Sequence, residues 1–222
     1  MRMKTRILSC ITLCAVNVFA ADWTPVQLSL FPPVQLFSAD TEVIGLRLNV
    51  LIGYSAKVTG LDLGVEVNQV AEMSGMQIAL MNQALRFDGI QVGLCNQIGS
   101  LGPPRLKAHK QVVQPGALSR NSGIQIGLLN GVGRTSPFSP DDTPESCFAG
   151  LQIGVVNAGD RIRGVQLGPL ANFADEITGL QVSGLWNQAR ILHGVQIGLI
   201  NRTGNGLLCD TLGGIPIINA AF

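Results

Sequence analysis

One phrase, Gly194-Val195-Gln196-Ile197-Gly198-Leu199-Ile200-Asn201, constrains this chain more than any other feature, because the chain keeps returning to it. Close copies begin at Gly89, Gly123 and Gly150. Each leading glycine is followed by Gln two residues on and Asn seven residues on: Gln91 and Asn96, Gln125 and Asn130, Gln152 and Asn157, Gln196 and Asn201. Looser copies begin at Gly45, Gly60, Gly75, Gly164 and Gly179. Two insertions of about 19 and 12 residues interrupt the series after Asn96 and Asn130, and the phase recovers after each, so a period of 14–15 residues underlies the whole array. Glycine accounts for 27 of 222 residues, and its regular placement separates the chain from a flexible linker.

The phrase alternates in the manner of a strand: residues 195, 197 and 199 share one side, and 196, 198 and 200 the other. Two glycines in eight residues and the β-branched content disfavour helix. The uniformly aliphatic set is expected to face the core. An apolar residue two before the next leading glycine (Ile162, Ile177, Leu192) is expected to extend that core-facing set. Stacking identical units in parallel sets each Gln over the next Gln and each Asn over the next Asn, whereas an antiparallel meander puts them at opposite ends. The pattern therefore predicts an all-β fold, a parallel β-solenoid of about 11 coils and roughly 50 Å in length. The alternative is an outer-membrane β-barrel, since 14–15 residues also suit one tilted spanning strand plus a turn, and the chain ends in Phe222. A single Tyr and two Trp argue against it, being too few for two aromatic girdles.

Residues 1–20 read as a secretory signal: Arg2, Lys4 and Arg6, an apolar run from Ile7 to Phe19, and small residues at Val18 and Ala20 before the cut at Ala21. The mature chain then carries twelve basic against 14 acidic side chains, which gives no reason to expect a nucleic-acid partner. Residues 21–42, with prolines at 25, 32 and 33, are expected to cap the first edge of the array, and residues 43–222 to form the repeat domain. Of the mature cysteines, Cys95 fits an apolar repeat position, and whether Cys147 and Cys209 pair stays open.

The inserted loops, residues 97–122 and 131–149, differ in charge. The first carries Arg105, Lys107 and Lys110 and no acid, and the second carries Asp141, Asp142 and Glu145. Leaving the repeat at the same phase, they are expected at one edge of a solenoid, as solvated loops or as an interaction surface. No chemistry-bearing motif emerges elsewhere. His109 and His193 lack metal-ligand spacing, no G-x-S-x-G occurs, and no third glycine completes a dinucleotide loop. Catalytic, cofactor and metal residues are therefore expected to be none. A β-helix hydrolase is the weakest alternative, with only Asp141 and Asp142 close together and on a Pro-rich loop.

The opening Pro25-Val26-Gln27-Leu28-Ser29-Leu30-Phe31-Pro32-Pro33, then Gly45-Leu46-Arg47-Leu48, Gly60-Leu61-Asp62-Leu63-Gly64 and the run of Gly-Leu-Gln-Ile-Gly phrases resemble the bacterial surface-repeat proteins first noted in spirochaetes. The resemblance spans nearly the whole mature chain. It implies an exported, surface-associated or extracellular repeat protein, not an enzyme, with a structural or adhesion-like role toward a protein or glycan partner or the outer membrane. It transfers no active-site residue.

Overall fold

The computed structural model describes residues 21–31, 34–101, 119–136, 145–204 and 215–221. The expected signal, Arg105, Lys107, His109, Lys110, Asp141, Asp142, Cys209 and Phe222 lie outside them. The strands are β1 (Trp23–Phe31), β2 (Val34–Gln35), β3 (Glu42–Asn49), β4 (Ile52–Gly64), β5 (Val67–Ile78), β6 (Met81–Val92) and β7 (Cys95–Ile98). After the first insertion come β8 (Ser119–Ile126) and β9 (Leu129–Val132). Then follow β10 (Ser146–Ile153), β11 (Val156–Gly168), β12 (Ala171–Ser183), β13 (Trp186–Thr203) and β14 (Ile215–Ala221).

Successive coils pair in parallel and in phase: Gly164, Gln166 and Ile162 of β11 lie against Gly179, Gln181 and Ile177 of β12. The order along the stack runs β1, β3, β4, β5, β6, β8, β10, β11, β12, β13, with β7 and β9 continuing the second side of their coils. The fold is a parallel β-solenoid of about 10 turns. It is not a barrel, for the stack runs open from one end to the other and its coils do not alternate in direction. Both ends finish antiparallel: β2 folds back on β1 and β14 lies against β13. The insertions leave from neighbouring coils at Ile98 and Val132, which pair, and return at Ser119 and Ser146, which also pair.

The leading glycines are required twice over. Gly89 has φ 145°, and a Cβ there would collide with the carbonyl oxygen of Gly75 on the coil beneath. The column bends each long strand at a point where no side chain fits.

The interior corrects one expectation. The aliphatic residues flanking each Gln face outward, and the Gln faces in: Gln166, Gln181 and Gln196 are wholly buried, while Ile197 and Leu199 are exposed. Four columns fill the core. One is aliphatic or aromatic, two before the leading glycine: Val43, Val58, Met73, Phe87, Phe148, Ile162, Ile177 and Leu192. Asn121 takes this place once, accepting from the Phe87 N–H at 2.9 Å and donating to the Cys147 carbonyl at 3.2 Å. A second column, two after the Asn, includes Val70, Ala84, Ile98, Val132, Ala174 and Ala189. The other two are amides.

Bonding along the columns offsets the cost of burying those amides, although Asn49 Oδ1 and Asn82 Oδ1 accept no hydrogen bond. Gln91 donates to Gln77 at 2.9 Å, Gln125 to Gln91 at 3.0 Å, and Gln152, Gln166, Gln181 and Gln196 each donate to the preceding Gln at 2.7 Å. Asn219 of β14 closes the column on Gln196 at 3.0 Å. In the Asn column donation runs the other way, toward the later coil: Asn130 to Asn157, Asn157 to Asn172 and Asn187 to Asn201, all at 2.8 Å. The second amide hydrogen ties down a strand carbonyl, as Asn157 does with Leu167 at 2.9 Å.

Candidate functional site

The alternation that sends Gln inward sends three aliphatic columns outward. They stand one after the leading glycine, one after the Gln, and at the corner two before the Asn. The corner column includes Leu80, Leu94, Leu128, Leu170, Leu185 and Leu199, all exposed. Their backbones bond coil to coil, Leu94 N–H to the Leu80 carbonyl and Leu128 N–H to the Leu94 carbonyl, each at 2.9 Å, so the side chains form a continuous ridge. Beside it the residues after Gln include Leu48, Ile126, Ile153 and Ile197, also exposed. Between leading glycine and Asn, the described coils hold only Arg47, Asp62 and Glu66 as charged residues, and the first two are buried. Apart from Glu66, exposed at the corner two before Asn68, the described coils keep this face aliphatic along the rod. A typical monomer exposes no more than roughly 300–600 Å² of contiguous apolar surface, and such a face marks an interaction site.

Charge is gathered on another side. The column three before the leading glycine reads Glu42, Lys57, Glu72, Arg86, Arg120, Cys147, Arg161, Glu176. Neighbours of opposite sign pair across coils, Lys57 with Glu42 at 2.6 Å, Arg86 with Glu72 at 2.9 Å and Arg161 with Glu176 at 3.7 Å. Glu145, at the end of the second insertion, joins this side by pairing with Arg161 at 2.7 Å. The rod is thus amphipathic around its girth.

At the first end of the aliphatic face, the fold-back of β2 opens a pocket of about 840 Å³. Leu28, Leu30, Leu48, Val50, Leu63 and Val65 form most of its wall. At the far end, β14 extends the same face: Ile218 pairs with Ile197 and Ile217 with Gly198. Ile217 and Ile218 are 69% and 57% exposed. Ile217 also has φ 77°, a conformation that a β-branched residue adopts only under strain.

The buried carboxylates are structural. Asp62 accepts from Arg47, Asn49 and Gln77. Asp160 accepts from the Arg134 and Ser146 N–H groups at 2.9 Å and from the Thr135 N–H and hydroxyl at 2.7 Å. It thereby fastens both roots of the second insertion. A carboxylate has about four acceptor positions, and all are taken in both cases. Among the described residues, no group of three His, Cys, Asp or Glu side chains comes together. Cys95 and Cys147 are free, and burial pushes the Cys95 thiol pKa up. Gly89, Gln91, Asn96, Gly123, Gln125, Asn130, Gly150, Gln152, Asn157, Gly194, Gln196 and Asn201 all stand in the stacked columns.

Sequence reasoning missed the aliphatic face, having turned it inward. The available signal was parity: Leu192 and Gln196 are an even number of residues apart and share a side. No protein-family model matches this chain, and no curated protein and no solved structure matches it.

Proposed function

We propose that this protein is a non-enzymatic, exported β-solenoid serving at the bacterial surface as a rigid interaction scaffold. The observation that carries the reading is the long aliphatic face, interrupted at Glu66, on a rod whose core is cross-bonded by two amide columns. A surface of that kind is built to be covered by something, and the rod behind it is built not to bend. The basic start at Arg2, Lys4 and Arg6, the apolar run from Ile7 to Phe19 and the small residues before Ala21 support export. The buried carboxylates support a role without chemistry, because their acceptor positions are already occupied by the fold.

Fractionation of expressing cells tests this. The mature protein is expected outside the cytoplasm with Ala21 as its first residue, and carbonate is expected to release whatever fraction sediments with membrane. A chain that stays uncleaved in the cytoplasm, or leaves the membrane only in detergent, overturns the reading.

A further inference from the structure

The aliphatic face has a second copy of itself as its best-fitting partner. Its columns repeat once per strand spacing, about 4.8 Å, so two copies laid face to face are commensurate along their whole length. The face spans ten strand intervals and about four residues of strand, roughly 48 Å by 13 Å, on the order of 600 Å² before the relief of the side chains is counted. A standard stable interface buries roughly 800 Å² on each partner, so the face is of dimer size. With both rods pointing the same way, pocket would face pocket. With a two-fold axis lying in the contact plane and crossing the rods, each column covers its own counterpart with the ends exchanged.

That exchange brings together the two features left unexplained. The pocket at the β1 end is walled by the column after Gln (Leu28, Leu48, Leu63) and by the neighbouring corner positions (Leu30, Val50, Val65). At the β14 end, Ile218 continues the column after Gln and Ile217 lies one step toward the corner. Both are among the most exposed aliphatics of the described residues, and Ile217 is held there at positive φ. We infer that the protein forms an antiparallel, two-fold dimer through this face, with Ile217 and Ile218 of each copy seated in the apolar pocket of the other. The inference holds whether or not the chain is exported, so its failure and that of the functional reading are separable.

The mature chain in analytical ultracentrifugation is expected to sediment as a dimer that dissociates on dilution. Ile217→Asp is expected to weaken association at least tenfold with an unchanged far-UV spectrum, and Thr178→Lys, on the polar side, to leave it unaltered. Should the Asp variant misfold, a Leu48→Cys/Ile218→Cys variant gives a second reading. Those positions lie at opposite ends of one rod, so, with Cys95, Cys147 and Cys209 replaced by Ala, oxidation is expected to yield covalent dimers that neither Leu48→Cys nor Ile218→Cys alone forms. A monomer at every concentration, or a double variant that cross-links no more than the single ones, overturns the inference. So does a monomer that floats with phosphatidylethanolamine–phosphatidylglycerol vesicles, which would assign the face to a lipid surface.

Discussion

Arg47 sits one coil before Asp62 in the same column, and its guanidinium holds both carboxylate oxygens, Nε to Oδ1 at 2.7 Å and Nη2 to Oδ2 at 2.5 Å, with both side chains wholly buried. Asn49 and Gln77 donate to the same carboxylate at 3.0 Å each. The pair occupies the place where the other coils carry Gln. Asp62→Gln leaves a guanidinium buried without its counter-charge and is expected to cost about 3–5 kcal/mol. Arg47→Gln/Asp62→Gln extends the neutral column and is expected to recover most of that loss. Urea unfolding of the two single variants and the double one closes the cycle. Additive losses would show that the two side chains are energetically independent.

Inward-facing Gln makes a clear contrast with its neighbour. Gln181 bonds Gln166 and Gln196, each at 2.7 Å. Gln181→Leu leaves an acceptor and a donor without partners in the interior, at about 1–3 kcal/mol each. Val182→Thr alters the outward side and is expected to change stability by less than about 1 kcal/mol. Equal losses in chemical denaturation would contradict the orientation described.

Tyr54 is the only tyrosine in the chain, so phenolate absorbance reports on it alone. Burial, reinforced by Asp40 and opposed by Arg47, pushes its pKa up to about 12 from the ordinary 10.0. A raised folded-state value means the unfolded chain gives up its proton first. Stability is therefore full below pH 10 and falls as pH rises from 10 toward 12, by about 2–3 kcal/mol over two units. Spectrophotometric titration is expected to give a midpoint near 12 for the folded protein and near 10 in denaturant. A folded midpoint near 10 would place the ring in solvent.

The period, the parallel register and the stacking of Gln on Gln and Asn on Asn were legible because identical phrases at a fixed spacing leave few other arrangements. The direction of facing was not. Aliphatic residues belong inside by their own transfer energies, but that rule ranks residues singly, and a Gln bonded to its copies above and below no longer has the desolvation cost of a lone amide. Leu192 and Gln196 share a side, and so do Ile177 and Gln181, so the interior is mixed by parity. The role of Asp160 was not legible, because its partners Thr135 and Ser146 are brought near only by the closure of the insertion. The pocket could not be foreseen from residue types, since it arises from β2 turning back on β1.

The opposed donation in the two amide columns has an electrostatic consequence. In an α-helix every peptide dipole points the same way, and their sum leaves about half a charge at each end. Here the Gln amides aim their donors toward the first end of the rod, with acceptor-only Asp62 on β4 taking the donor of Gln77, and the Asn amides aim theirs toward the last. The two fields largely cancel however many coils are stacked. Lengthening such a rod builds up no axial field, so coils can be added without electrostatic strain, and neither end becomes a magnet for ions.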